Sequence, residues 1–184
     1  MTFAIHDLWQ TPVFTGSLST DDIPHLIDIT SAHATSRNQR AQQLAQALTT
    51  AAPLLVPTQD NAPEPSWHWI TEQWKPGYHA GLRYSPGNVH AIVVLNASGT
   101  PRHPESGQIS LHDPRVGANK VFLPGLPWGR HHHLLPRPGN VLVFPSWLGW
   151  SVAPVQDGHT IDVCLLHTDV TAPRANESLQ GTRA

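Results

Sequence analysis

Histidine is the residue type in this chain that offers most chemistry, with thirteen copies among 184 residues. Imidazole can act as a general acid or base near neutral pH and is a common metal ligand. His131 and His133 would share one face if the run His131-His132-His133 formed a strand, since strand side chains alternate. A polar strand edge or loop is the competing interpretation of this run, and we predict no metal there.

The elements that must position such groups are predominantly strands. Val89–Asn96, Val141–Phe144 and Thr160–His167 are apolar runs bounded by Gly, Pro and polar residues, which indicates buried strands. Similar short segments occur at Trp67–Ile70, Tyr78–Tyr84, Gly107–His112, Lys120–Leu123, His131–Leu135 and Trp150–Ala153. Strands at this spacing predict a β-sandwich or barrel.

The first third of the chain carries a different pattern. Leu8–Phe14 predicts an edge strand, and residues at about 20–51 predict two helices, the second opening on a capping-box spacing from Ser36 to Gln39. We therefore predict a single domain over residues 1–170, an all-β core with N-terminal helices. The polar residues 171–184 are expected to form a flexible tail.

Composition limits the functional classes. The net charge is −2 and basic residues are scattered, so nothing favours nucleic acid or an anionic membrane as a partner. No segment resembles a signal peptide or a membrane span, and we expect a cytoplasmic protein. The single cysteine, Cys164, lies in an apolar run, where a buried and unreactive thiol is expected.

One stretch is more specific than composition. Phe144-Pro145-Ser146-Trp147-Leu148, followed by Ser151-Val152 and Pro154, resembles the signature of a family of bacterial 2-oxoglutarate/iron(II) oxygenases. The phrase Asp113-Pro114-Arg115 and the opening around Thr11-Pro12 resemble the same family. The resemblance spans residues 8 to about 168 and implies a double-stranded β-helix, the jelly-roll barrel of the cupin and oxygenase superfamily.

The resemblance also implies where iron and 2-oxoglutarate would be held, and this sequence differs there. Leu82 and Tyr84 stand at the two histidines of the family's H-x-H pair, and Trp150 stands at the third ligand. Thr160, with His159 beside it, takes the place of the cation that anchors 2-oxoglutarate. Because Leu and Trp carry no lone pair for a metal, the sequence predicts no metal and no cofactor.

A barrel mouth altered in this way would be apolar and aromatic. The residues predicted to bind substrate there are Trp150, Leu82, Tyr84, Arg115, Trp147 and His133. The predicted catalytic acids and bases are His90, His112, Tyr84 and Asp162. Two alternatives remain at this stage: Trp150 could simply fill the cavity, and Arg115 could tie a loop through Asp113.

The resulting functional hypothesis is a small-molecule enzyme on an oxygenase-like barrel that has lost its iron site. Its chemistry would be cyclisation, isomerisation or elimination on an apolar or aromatic substrate, in bacterial specialised metabolism. One alternative is an Fe(II)/2-oxoglutarate-dependent hydroxylase with relocated ligands, for which His79, His90, His131 and His133 are candidates. Another is a non-catalytic binding or partner protein, and a homodimer is left open.

Overall fold

The computed structural model describes residues 2–8, 11–19, 66–114 and 131–169. Several expectations lie outside these residues: the helices at about 20–51, the strand at 120–123, Arg115 and the tail at 171–184. Among the described residues, no helix is long and apolar enough to cross a membrane.

The described residues form ten strands and no helix. Their bounds are β1 Thr2–Leu8, β2 Thr11–Ser17, β3 Ser66–Trp74, β4 Ala80–Arg83, β5 Val89–Ser98, β6 Ile109–Leu111, β7 His132–Leu134, β8 Asn140–Pro145, β9 Trp150–Val152 and β10 Thr160–Asp169. The apolar runs at 89–96, 141–144 and 160–167 are therefore strands, as their composition predicts.

The strands build two antiparallel sheets. The larger sheet has the order β1-β2-β8-β5-β10-β3, and the smaller has the order β4-β9-β6-β7. From β3 onward the chain passes repeatedly between the two sheets, so that neighbours within a sheet are distant in sequence. This strand-rich arrangement is consistent with the double-stranded β-helix expected from the resemblance.

The space between the sheets is a hydrophobic core. Ile92 and Phe144 from the larger sheet meet Leu111, Trp150 and Val152 from the smaller one, and all five are buried. Alternation along the strands produces this face, because residues two apart point to the same side. The core fixes the direction of the side chains beside it, including those at the candidate site.

The opposite face of the larger sheet is also apolar. Val93, Val143, Cys164 and Leu166 form a second buried cluster there, with Trp67 packed against it. Strands β5, β8 and β10 are thus buried on both faces, which explains why they are almost continuously apolar rather than alternating. These strands pair so that His90 of β5 lies opposite both Phe144 of β8 and His167 of β10.

Candidate functional site

A β-bulge in β4 decides which side chains face the space between the sheets. Strand β4 pairs with β9 through Ala80 opposite Val152 and Arg83 opposite Trp150, and the register shifts between these two pairs. A bulge adds one residue and reverses the alternation beyond it. Arg83 and Ser85 therefore contact Trp150, while the residues between and beside them turn outward.

Trp150 lies inside the molecule, as the sequence predicts, but it does not line an open cavity. Its side chain has 0% exposure. Its Nε1–H donates a hydrogen bond to Ser85 Oγ at 2.9 Å, which satisfies the one polar atom of the ring. The indole thus fills the position where an open aromatic pocket was expected.

Two charged or titratable side chains pack against the ring of Trp150. The guanidinium carbon of Arg83 lies 4.3 Å from the centroid of the Trp150 ring, within the range of a cation–π contact. The His90 ring stacks against Trp150 with centroids 5.6 Å apart and an interplanar angle of 24°. We call Arg83, Trp150 and His90 the inner stack.

His90 is the most unusual member of the inner stack. Its side chain is 3% exposed, and neither ring nitrogen has a hydrogen-bond partner. Burial lowers its pKa to about 3, with smaller contributions in the same direction from His167 and Arg83. His90 is therefore a neutral imidazole at physiological pH, closed in by Trp150 and by Phe144, whose ring centroid is 5.3 Å away.

A series of hydrogen-bonded, half-buried polar side chains continues outward from the inner stack. Arg83 Nη1–H donates to Tyr78 Oη at 3.4 Å, and Tyr78 O–H donates to Glu72 Oε2 at 3.3 Å. Trp74 Nε1–H donates to the same Glu72 oxygen at 2.8 Å. Burial and the nearby Glu72 carboxylate raise the pKa of Tyr78, so its phenol stays protonated. We call Glu72, Tyr78 and Arg83 the polar relay.

Three of the residues predicted to bind substrate have exposed side chains. Leu82 is 57%, Tyr84 63% and Trp147 53% exposed. The bulge explains the first two, because the expected alternation continued from Ala80 would have turned them inward. Leu82 and Tyr84 instead lie over Gly149, where an added Cβ would meet Leu82 Cδ1 at 2.6 Å and Tyr84 Cε1 at 3.3 Å.

Asp162, a predicted catalytic residue, also faces away from the core. The inward positions of β10 are Ile161, Val163 and Leu165, and Asp162 falls between them. Its carboxylate accepts hydrogen bonds from Gln73 Nε2 at 2.9 Å and Asn96 Nδ2 at 3.2 Å, both exposed. Asp162 therefore ties three strands of the larger sheet together at its surface.

His112 and His133 lie on the outer face of the smaller sheet, away from the inner stack. His112 Nε2 is 2.7 Å from Ser151 Oγ, and His133 Nδ1 is 2.8 Å from Ser110 Oγ. Burial lowers the pKa of both imidazoles, and neighbouring His131 lowers it further. The structure thus separates His112 and His133 from His90 by a sheet.

The position expected for a 2-oxoglutarate anchor has a structural role. His159 is buried, and its Nδ1 lies 2.8 Å from Ser106 Oγ, which accepts the Gln156 N–H at 2.9 Å. Burial lowers the His159 pKa, which disfavours the charged imidazole that an anchor for a carboxylate would need. Thr160 beside it begins β10 and offers no cation.

Sequence reasoning missed Arg83, Ser85 and the polar relay. Gly81 was the available signal for the first two, because an isolated glycine in a strand often marks a bulge. Glu72 and Trp74 are two residues apart in β3 and lie on the same face of the strand. Alternation would have predicted the contact of Glu72 with Trp74 if the predicted strand had been extended to Trp74.

Several solved structures share this fold. A Pseudomonas putida prolyl-4-hydroxylase superposes with a TM-score of 0.61 at 17% identity, covering 90% of this chain and 92% of that one. SnoN, a non-haem α-ketoglutarate-dependent epimerase from nogalamycin biosynthesis, gives 0.54 at 14% identity, covering 94% and 84%. AviO1 from Streptomyces viridochromogenes Tue57 gives 0.52 at 14% identity, covering 88% and 91%.

These neighbours define a class: the chain has the fold of the 2-oxoglutarate/Fe(II) oxygenases. No family model matches the sequence, and no curated protein matches it. At such low identities the comparison establishes the scaffold alone.

The same comparison contradicts the prediction that the protein has no cofactor. SnoN, which shares the scaffold, is an α-ketoglutarate-dependent enzyme. The absence of a cofactor was inferred from three substituted positions, and that inference was too broad.

The residues at the inner stack nevertheless do not fit a facial iron site. Such a site needs two imidazoles and one further ligand converging on the metal. Of the inner stack, only the His90 imidazole has a lone pair to offer, because the Arg83 guanidinium and the Trp150 indole N–H offer donors alone. Within the described residues, no three His, Cys, Asp or Glu side chains are arranged to hold a metal ion.

Proposed function

We propose that this protein is a small-molecule enzyme on a 2-oxoglutarate oxygenase-like scaffold that performs non-oxidative proton transfer at the polar relay. The observation that carries the proposal is the complete burial of Trp150 against Arg83 and His90, at the position that the family resemblance would assign to an iron ligand. Because Trp150 is buried, the groups available for chemistry are the half-buried side chains of the polar relay.

The polar relay contains the parts that an isomerase or cyclase needs. Arg83 presents N–H donors to a carbonyl or carboxylate oxygen and stabilises negative charge that develops on it. Tyr78 keeps its proton and can donate it, and the Glu72 carboxylate can accept one. A proton can thus leave the carbon beside a carbonyl for Glu72 and return to another carbon, with no change in oxidation state.

The surroundings of the relay favour a substrate with an apolar body. Ile70 is 57% exposed and lies on the same face of β3 as Glu72, two residues away. An apolar or planar group could cover Ile70 while its carbonyl oxygen meets Arg83. Bacterial specialised metabolism supplies many such compounds, and we place the activity there.

Hydrogen exchange tests this proposal directly. A panel of small ketones and carboxylic acids with apolar bodies is incubated with the protein in D₂O, and deuterium incorporation beside the carbonyl is followed by NMR. We expect exchange by the wild type and a loss of about a hundredfold in Glu72→Gln and Arg83→Gln, the usual contribution of acid–base groups. Arg102→Gln, at an exposed position outside the relay, is the matched control.

Two results would contradict the proposal. One is iron-dependent conversion of 2-oxoglutarate to succinate that Arg83→Gln abolishes, since the mouth would then be oxidative. The other is the absence of exchange across the panel, which would favour a non-catalytic binding protein. The complete burial of Trp150 is the observation that makes binding without catalysis the second candidate.

A further inference from the structure

Three histidines gather on the outer face of the smaller sheet, where the proposed function makes no use of them. His133 lies in β7 opposite Ser110 of β6, and Ser110 lies opposite Ser151 of β9. Their neighbours Leu111, Trp150 and Val152 point into the core, so alternation turns the two serines and His133 outward. His112 and His131 flank the strands on the same side. We call His112, His131 and His133 the outer histidine cluster.

The three rings lie close to one another. The His112 and His131 centroids are 4.3 Å apart, and those of His131 and His133 are 6.1 Å apart. A metal ion bound about 2.0–2.1 Å from an imidazole nitrogen lies about 3.2 Å from the ring centre. Two imidazoles on one tetrahedral ion therefore have centroids about 5 Å apart, between the two observed distances.

The hydrogen bonds of the cluster already resemble those of bound histidines. A metal-ligating imidazole normally uses its second nitrogen for a hydrogen bond that fixes the ring. Ser151 Oγ is hydrogen-bonded to Nε2 of His112, and Ser110 Oγ is hydrogen-bonded to Nδ1 of His133. The other nitrogen of each ring is left for a metal ion. In the central ring, His131 Nδ1 is buried and has no hydrogen-bond partner.

We propose that His112, His131 and His133 bind one divalent transition-metal ion of the zinc class, with Ser110 and Ser151 orienting two of the rings. The three rings are not yet arranged around an ion position in the described residues, so binding requires side-chain rotation. His133 lies in β7, and His112 and His131 lie next to the ends of β6 and β7, so rotation about their side-chain bonds needs no change of strand register. This site departs from the sequence-based expectation of no metal.

The site is separate from the inner stack and the polar relay. Trp150 and Ser151 are adjacent in β9 and point to opposite faces of the smaller sheet. The metal-binding assay and the hydrogen-exchange assay therefore test separate sites, and a failure of one proposal does not decide the other.

Cobalt titration tests the site on the full chain without a histidine tag. Co²⁺ is added to the metal-free protein, and visible absorption reports tetrahedral coordination while calorimetry gives stoichiometry. We expect about one equivalent with a tetrahedral spectrum, displaced by Zn²⁺. His112→Gln, His131→Gln and His133→Gln should each weaken binding at least about tenfold, and Ser110→Ala and Ser151→Ala should weaken it about tenfold.

Control variants separate the cluster from the other histidines. His79→Gln and His103→Gln change exposed imidazoles elsewhere and should leave the titration unchanged. Circular dichroism without metal verifies that each variant is folded, and a variant that is not folded is replaced by the corresponding serine variant. The proposal is overturned if no tetrahedral spectrum appears, or if the cluster variants bind Co²⁺ as tightly as the His79 variant.

Discussion

His90 places two unpaired ring nitrogens in an apolar interior, and their energetic cost is open to measurement. A buried polar group without a partner is destabilising, whereas an apolar group of similar shape is not. Its neighbours Phe144 and Trp150 would accommodate a further aromatic ring. The imidazole therefore stabilises the fold less than phenylalanine would at the same place.

We predict that His90→Phe unfolds at an equal or higher urea midpoint at pH 7 and depends less on pH. The folded-state pKa of about 3 lies below the unfolded value of 6.5. Between these two pH values the unfolded state binds a proton at His90 and the folded state does not. The free energy of unfolding of the wild type therefore falls as the pH drops from about 6.5 towards 3. Urea unfolding at several pH values measures the difference.

His103→Phe is the control for this experiment, because His103 is exposed. Its unfolding should follow the wild-type pH dependence. Equal pH dependence in the His90 variant and the wild type would contradict the buried, neutral imidazole.

At the scale of strands and turns, the loop after β5 is held tightly against the turn before β10. Gly99 has φ of +91°, and a Cβ built on it would lie 1.7 Å from the carbonyl oxygen of Gly158. Gly77 has a similar φ of +85°, but an added Cβ would meet nothing within 4 Å. Substituting each of these two glycines by alanine therefore distinguishes the cost of backbone strain from the cost of a steric clash.

We predict that Gly99→Ala is clearly more destabilising than Gly77→Ala. Both variants place an L-residue at positive φ, which costs about 1–2 kcal/mol. Only Gly99→Ala also forces the two turns apart, because its neighbour is backbone and cannot move aside alone. Thermal unfolding of both variants measures the difference, and equal losses would show that the turns are not in contact.

The strands were more predictable from the sequence than the site was. Val89–Ser98 and Asn140–Pro145 are apolar over most of their length because both faces are buried, and this pattern is visible in the sequence. The inward direction of Trp150 also followed from its place after the Pro145 corner. The bulge in β4 was not visible in the same way, because it changes pairing and not composition, and it exchanged Leu82 and Tyr84 for Arg83 and Ser85.

The polar relay could not be predicted for a related reason. It joins β3 to the segment at Tyr78–Arg83 through hydrogen bonds between different strands. Short-range periodicity carries no information about which strands become neighbours. The prediction that the protein has no cofactor, drawn from the residue types at positions 82, 84 and 150, was also wrong.

For the molecule as a whole, burial of the second apolar face of the larger sheet protects Cys164. Burial raises the pKa of its thiol to about 12, which leaves almost no thiolate at neutral pH. We predict that a thiol reagent at pH 8 labels Cys164 in urea but reacts at least about a hundredfold more slowly with the native protein. Fast labelling of the native protein would show that this face opens to solvent.

The central claim is that Trp150 is a buried structural residue between the two sheets and does not line a pocket, and the free energy of unfolding tests this most directly. Trp150→Ala removes a fully buried indole and should lower that free energy by about 3–5 kcal/mol. Trp147→Ala is the matched control, since it changes the same residue type three positions away at 53% exposure, and it should cost less than about 1 kcal/mol. Similar small losses for both variants in urea unfolding would contradict the account and indicate that Trp150 lines an open cavity.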